Sequence, residues 1–143
     1  MAQWAEAEHL MPDVVRRRAR HVVTEDDRVN RFVDACGRGD LELMGRLLVE
    51  SHRSLQHDYE VSCEELDFLV DTALSIPGVF GSRMTGGGFG GCTVTMLKPS
   101  DVPRFGADIV RSYEARFRVT PQVYACNPSE GAGEVRDWRL IPS

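Results

Sequence analysis

Glycine is concentrated in one stretch of the chain, and the chemistry that this spacing permits is contact with a phosphate. Residues 79–97 read Val-Phe-Gly-Ser-Arg-Met-Thr-Gly-Gly-Gly-Phe-Gly-Gly-Cys-Thr-Val-Thr-Met-Leu, and five glycines fall within the six residues 86–91. Backbone without Cβ atoms adopts positive φ angles readily and can turn successive N–H groups toward an anion, an arrangement called a nest. The alternative is a tight hairpin in which the glycines only make the bend. The glycines by themselves leave both interpretations open.

The residues that follow this stretch exclude two familiar phosphate-binding motifs. Residues 86–91 fit the dinucleotide pattern G-x-G-x-x-G, but that pattern needs a strand before it and a helix directly behind it. Residues 92–97 are rich in β-branched side chains and alternate as a strand does. A Walker loop closes on a lysine, and the first lysine of the chain is Lys98. The sequence therefore predicts that the glycines join two strands.

A second group of candidate residues lies in the polar segment 50–61, which contains His52, His57 and Asp58. These residue types suit acid–base chemistry or a metal site. The two histidines are five residues apart, which is not the i, i+4 spacing of one helical face. The spacing favours capping and packing roles, and the sequence alone leaves the roles of His52 and His57 open.

Composition limits the classes of partner. The 143 residues include 17 basic and 22 acidic side chains, a net charge of −5, which argues against nucleic acid or an anionic membrane as the partner. No secretory signal and no apolar run of the ~20 residues needed to cross a bilayer is visible, so we expect a cytoplasmic protein. Cys36, Cys63, Cys92 and Cys126 are scattered without metal-binding spacing, and we expect free thiols in preference to two disulfides.

The apolar periodicity predicts the elements that must position the glycine stretch. We expect an edge strand or extended segment with solvated arginines over residues 14–23, in preference to a nucleic-acid-binding segment. Two helices joined at residues 37–39 should follow, the first capped by Thr24 and the second by Asp40. Ser62 and Glu65 form a capping box that should begin a third helix, ended by residues 76–78.

The remainder of the chain predicts the sheet. A helix is expected over residues 101–117, with short strands at residues 121–126 and 134–140. The order of elements indicates an α+β domain, with helical segments packed on a small, mainly antiparallel sheet and a β-loop-β-α-β ending of ferredoxin-like type. We expect residues 1–13 to be a tail or truncated linker, residues 14–140 to be the domain, and residues 141–143 to be a C-terminal tail.

Four segments of the chain, in order, resemble the C-terminal domain of galactokinases, which belong to the GHMP kinase superfamily. These segments are Arg17 to Glu25, Glu50 to Leu55, Asp58 to Asp67 and Gly81 to Val94. The resemblance covers roughly residues 14–135 and implies a fold like that of the GHMP kinase C-terminal domain.

In that family the glycine-rich run is the third conserved motif, a loop that faces the active-site cleft and supports the phosphates of the nucleotide. The positions that match it here are Thr85, Gly86, Gly87, Gly88, Phe89, Gly90 and Gly91. The resemblance implies that these residues contact the cofactor, ATP, and Phe89 is expected to anchor the loop in the core. The resemblance also implies Mg²⁺, with its ligands in the N-terminal domain of the family.

Other motifs of the family are not found in this sequence. The sugar-recognising first motif, the phosphate-binding second motif of the type Pro-x-x-x-Gly-Leu-Ser-Ser-Ser, and the catalytic aspartate and arginine all belong to the N-terminal domain. Because phosphoryl transfer depends on positioning these groups together, we expect no catalytic residue in this chain and no turnover by the chain alone. The implied partners are galactose, ATP and a galactokinase N-terminal domain. A non-catalytic nucleotide-binding or regulatory module and a non-functional truncated product are the alternatives.

Overall fold

The structure is a computed structural model that describes residues 2–128. Within these residues, five α-helices accompany one antiparallel sheet of two strands. The elements are α1 (Ala2–Ala7), α2 (Asp13–Arg38), α3 (Leu41–Ser54), α4 (Glu64–Ser75), β1 (Val79–Thr85), β2 (Cys92–Leu97) and α5 (Val102–Phe117). Glu8–Leu10 and Pro99–Asp101 form 3₁₀ turns, and Leu55–Tyr59 forms a π-helical turn. The predicted class, helices packed on a small antiparallel sheet, is confirmed.

Helix α2 occupies the segment that was predicted to be an edge strand or extended segment, so that prediction is wrong. The helix begins after Pro12 and continues through Thr24, which was predicted to cap a helix. The Thr24 hydroxyl donates to the carbonyl oxygen of Arg20 at 2.8 Å, a bond within the helix and not a cap. Arginine and alanine are good helix formers, and in residues 14–23 they outweigh the β-branched valines.

The turn between α2 and α3 confirms the predicted pair of helices. Gly39 ends α2 in the left-handed region at φ 65°, where glycine has no steric penalty. Asp40 caps α3 as predicted, because its carboxylate accepts a hydrogen bond from the amide of Leu43 at 3.0 Å.

The start of α4 differs from the predicted capping box. Cys63 occupies the N-cap position, and no side chain caps the helix there. The Ser62 hydroxyl donates instead to Asp67 Oδ1 at 2.5 Å, so it is unavailable to a backbone amide. The predicted end of the helix is confirmed, since α4 stops at Ser75, just before Pro77.

Helix α3 crosses β1 at two glycines that bring the two backbones into close contact. A Cβ atom on Gly45 would lie 2.0 Å from the carbonyl oxygen of Phe80, and one on Gly81 would lie 2.2 Å from that of Gly45. Two small clusters of buried side chains complete the core around this crossing. The first comprises Leu55, Leu66 and Met84, and the second comprises Ala73, Phe105 and Ile109.

The C-terminal part of the described chain confirms α5 but not the strand predicted after it. Residues 121–126 form no strand, Pro121 carries no N–H to donate, and Tyr124 is 75% exposed. The strand predicted at residues 134–140 lies outside the described residues. Cys36, Cys63, Cys92 and Cys126 are free thiols, as predicted.

Two further observations concern the chain's ends and its helices. The N-terminal segment predicted as a tail contains α1, and the domain boundaries at residues 13 and 140 stay predictions. Within residues 2–128, no helix is both long enough and apolar enough to span a bilayer.

Candidate functional site: the glycine-rich loop and its supports

The glycine-rich loop, residues 86–91, joins β1 to β2, and the predicted hairpin is confirmed. The strands are antiparallel, and Thr85 at the end of β1 lies opposite Cys92 at the start of β2. Four glycines of the loop have φ angles that other residues rarely adopt, between 85° and 131°. These are Gly86, Gly88, Gly90 and Gly91. The backbone geometry therefore requires glycine at most positions of the loop.

The outer side of the loop is open and carries backbone amides without protein partners. The amides of Gly86, Gly87 and Gly90 donate no hydrogen bond to any group within residues 2–128. A Cβ atom on any of these three residues would meet nothing within 4 Å. Free amides without neighbouring side chains can approach the oxygens of a phosphate closely. This side of the loop is chemically suited to an anion.

The inner side of the loop is attached to the connection between the π-helical turn and α4. The Phe89 amide donates to the carbonyl oxygen of Val61 at 2.7 Å. A Cβ atom on Gly88 would lie only 2.2 Å from the same oxygen, so this glycine permits the close approach. The main chain of Val61 thus fixes the middle of the loop.

The expectation that the Phe89 side chain anchors the loop in the core is wrong. The ring is 76% exposed, and the residue has a φ of 58°. This left-handed backbone directs the Phe89 amide toward Val61, so the main chain provides the attachment and the ring lies at the surface.

The arginine cluster of α2 holds the turn that precedes Val61. Glu60 has a left-handed φ of 58°, and its carboxylate forms salt bridges with Arg17 at 2.6 Å and with Arg18 at 2.5 Å. Arg18 also donates to the carbonyl oxygen of Asp58 at 2.5 Å. The hydrogen bond from Arg18, assisted by the charge of Arg17, lowers the pKa of the Glu60 carboxyl. These arginines, predicted to be solvated, are thus paired with the segment that supports the loop.

The structure separates the two histidines of the polar segment. His52 is completely buried and accepts a hydrogen bond on Nδ1 from the amide of Met84 at 3.2 Å, whereas His57 is exposed. His52 Nε2 lies 3.2 Å from Asp67 Oδ1, although the alignment is poorer than that of a regular hydrogen bond. Burial lowers the pKa of His52, and the Asp67 charge opposes this only in part. The predicted packing role is confirmed for His52.

A metal-binding arrangement of these side chains is absent from the described part of the chain. Within residues 2–128, no three His, Cys, Asp or Glu side chains are grouped so that they could hold a metal ion. His52 points toward β1 and the core, which leaves it unable to share a ligand with the exposed His57.

A polar network that the sequence did not reveal ties β1 to α2 and α3. Glu25 on α2 accepts hydrogen bonds from Ser51 at 2.6 Å and from Arg83 at 3.1 Å, and it also pairs with Arg28. Arg83 donates through Nε to the carbonyl oxygen of Met84 at 2.9 Å. No sequence signal pairs Arg83 with Glu25, because the two residues lie 58 positions apart.

The comparisons with known proteins agree with one another on the family to which this chain is similar. A family model described as GHMP kinases C terminal matches residues 32–115. The galactokinase of Roseiflexus sp. (strain RS-1) is 45% identical over 94% of this chain and 34% of its own length. The galactokinase of Homo sapiens is 53% identical over 81% of this chain and 29% of its own length. The chain therefore spans about a third of the length of the curated relatives it matches.

A solved structure gives the same result for the fold. The crystal structure of Lactococcus lactis galactokinase complexed with galactose superimposes with a TM-score of 0.79 at 37% identity. The match covers 83% of this chain and 31% of that one. The resemblance noted in the four sequence segments is thereby confirmed. The chain belongs to the GHMP kinase family, and the part of that family it carries is the C-terminal domain.

Proposed function

We propose that this chain is the C-terminal part of a galactokinase, which transfers the γ-phosphate of ATP to the C1 hydroxyl of galactose and releases galactose 1-phosphate and ADP. The observation that carries the proposal is the open glycine-rich loop, in a domain that aligns with galactokinases over most of its length. The galactose in the Lactococcus lactis structure supports the choice of sugar.

In this proposal Thr85 and the residues 86–91 contact the phosphates of ATP. The amides of Gly86, Gly87 and Gly90 are free to donate, and hydrogen bonds to an anionic acceptor are roughly twice as strong as neutral ones. The loop is also held in place before any ligand arrives, through Val61, which limits the entropy lost on binding. The loop would therefore act as one wall of the phosphate site.

The chemistry itself requires groups that this chain does not contain. Phosphoryl transfer needs a positioned hydroxyl, a metal ion and charge stabilisation at the γ-phosphate. As the family resemblance implies, the catalytic residues, the sugar-binding residues and the Mg²⁺ ligands belong to an N-terminal galactokinase domain. That domain is the proposed partner, and the cytoplasm is the proposed location.

Reconstitution tests the proposal. The chain is assayed for galactose-dependent release of ADP from ATP, first alone and then mixed with a separately expressed N-terminal part of a galactokinase. We expect no turnover by the chain alone and turnover on mixing. Turnover by the chain alone would contradict the absence of catalytic groups. Binding of ATP without turnover on mixing would favour a non-catalytic nucleotide-binding module.

A charge placed in the loop tests the phosphate contact separately. Gly87 has an ordinary φ, and its Cβ would meet nothing, so Gly87→Glu and Gly87→Gln should both fold normally. A carboxylate ~5 Å from a phosphate costs about 1–3 kcal/mol at an effective dielectric constant between ~20 and ~80. We expect Gly87→Glu to raise the KM for ATP about tenfold in the mixed enzyme, relative to Gly87→Gln. KM values for ATP in both variants equal to that of the unsubstituted chain would exclude phosphate contact at this position.

A further inference from the structure

His52 lies in the last turn of α3. It contacts β1 at Met84, one residue before the end of that strand. Its ring is completely buried, and Nδ1 accepts the Met84 amide at 3.2 Å. Met84 is itself completely buried and is followed by Thr85, from which the loop departs. The histidine therefore contacts the backbone immediately before the glycine-rich loop.

The bond to Met84 defines the state of the ring. Because the amide donates to Nδ1, that nitrogen carries no proton, and the proton of the neutral ring lies on Nε2, facing Asp67. Burial lowers the pKa of His52, which keeps Nδ1 free as an acceptor at neutral pH. The ring therefore lies in one orientation between β1 and the first turn of α4.

The same side chains reach the second attachment point of the loop. Asp67, which faces His52, also accepts hydrogen bonds from Gln56 at 2.7 Å and from Ser62 at 2.5 Å. Ser62 is adjacent to Val61, whose carbonyl oxygen accepts the Phe89 amide at 2.7 Å. One cluster of polar contacts therefore lies against both the strand before the loop and the segment beside the middle of the loop.

We infer that His52 is a positioning residue for the glycine-rich loop, because its imidazole Nδ1 accepts the Met84 amide and thereby fixes the direction in which residues 85–91 leave β1. His52 touches neither the loop's open side nor any group that would react, so it acts through the backbone. The inference rests on the proposed function for the identity of the loop's ligand, a triphosphate, but not for the contact itself.

Three substitutions separate the possible roles of the ring. Asn places its Oδ1 near the position of Nδ1, so His52→Asn keeps an acceptor for the Met84 amide and loses the contact with Asp67. Gln extends further, so His52→Gln reaches toward Asp67 and loses the acceptor at Nδ1. Leu47→Val, at a buried position on the same helix, controls for general loss of packing.

Amide exchange and nitrogen relaxation, measured by NMR on this chain without nucleotide, provide the first test. We expect His52→Gln to increase the exchange rate of the Met84 amide roughly tenfold and to lower the order parameters of residues 86–91. His52→Asn should stay close to the unsubstituted chain at both sites. The inference is overturned if the two variants behave alike, or if Leu47→Val produces the same change at the same amides.

Titration with inorganic triphosphate provides the second test. The dissociation constant should increase about threefold to tenfold in His52→Gln and stay unchanged in His52→Asn. The link between loop position and ligand binding is overturned if the order parameters of residues 86–91 differ between His52→Gln and His52→Asn but the two variants bind triphosphate with equal dissociation constants. Failure of the unsubstituted chain to bind triphosphate, both alone and mixed with the N-terminal part of a galactokinase, would contradict the proposed function, and the nucleotide-free measurements would still decide whether His52 positions the loop.

Discussion

Gly88 is the position at which the loop should be most sensitive to a single methyl group. Its φ is 85°, and a Cβ atom there would lie 2.2 Å from the carbonyl oxygen of Val61. That oxygen already accepts the Phe89 amide, so it cannot move away without loss of the bond. Gly88→Ala therefore combines backbone strain with a collision against fixed main chain.

The expected cost of Gly88→Ala follows from three contributions. A left-handed conformation costs alanine about 1–2 kcal/mol. Relief of the contact with Val61 shifts the backbone, and overpacking of this kind costs about 1–3 kcal/mol. Alanine restricts the unfolded chain and returns about 0.4–1 kcal/mol. We expect the free energy of unfolding to fall by about 2–3 kcal/mol.

Urea denaturation followed by circular dichroism measures this change, with Gly87→Ala as the matched control. Gly87 is the neighbouring residue, lies outside the set with positive φ, and its Cβ would meet nothing within 4 Å. Gly87→Ala should therefore stay within about 0.5 kcal/mol of the unsubstituted chain. Equal midpoints for the two variants would refute the close approach of Gly88 to Val61.

Three other perturbations test the fold around the site. Gly45→Ala should lower the free energy of unfolding by about 3 kcal/mol or more, because its Cβ would lie 2.0 Å from a carbonyl oxygen of β1. Gly37→Ala, in an open helical position, should raise the free energy of unfolding by about 0.5–1 kcal/mol. Urea denaturation measures both changes. Burial lowers the pKa of His21 and of His52 below 6.5, so as the pH falls these histidines are protonated in the unfolded chain before they are protonated in the folded chain. The free energy of unfolding, and with it the urea midpoint, should therefore decrease as the pH falls below 6.5. Phe89→Ala should change the free energy of unfolding by less than about 0.5 kcal/mol, because the ring is 76% exposed.

Local sequence patterns predicted those parts of the site that depend on neighbours in the chain. The strand chemistry of residues 92–97 sufficed to identify the hairpin, because alternation and β-branching act within a few residues. Asp40 was predicted as a cap for the same reason, since its acceptor and the Leu43 amide are three residues apart. The turn that ends α4 was equally local.

The predictions that are wrong concern residues whose sequence pattern does not show which interaction they make in the fold. The valines of residues 14–23 suggested a strand, but this segment is helical, and Arg17 and Arg18 pair with Glu60, which lies 42 positions after Arg18. The hydroxyl of Ser62 serves Asp67 and so cannot cap α4. Phe89 was expected to anchor the loop in the core, but the residue has a left-handed φ of 58°, which its type does not predict, and its ring is 76% exposed.

Gly87 and Gly88, which are neighbours in the loop, serve two different requirements. Gly88 is required by the fold, because only a residue without Cβ can lie against the carbonyl oxygen of Val61. Gly87 meets no neighbour and needs no unusual φ, so the fold alone does not explain a glycine there. A hairpin that only made a bend would tolerate a side chain at that position. The glycine at Gly87 is therefore the residue that most directly favours a ligand over a purely structural turn, since a close approach by phosphate excludes a side chain that the protein itself would accommodate.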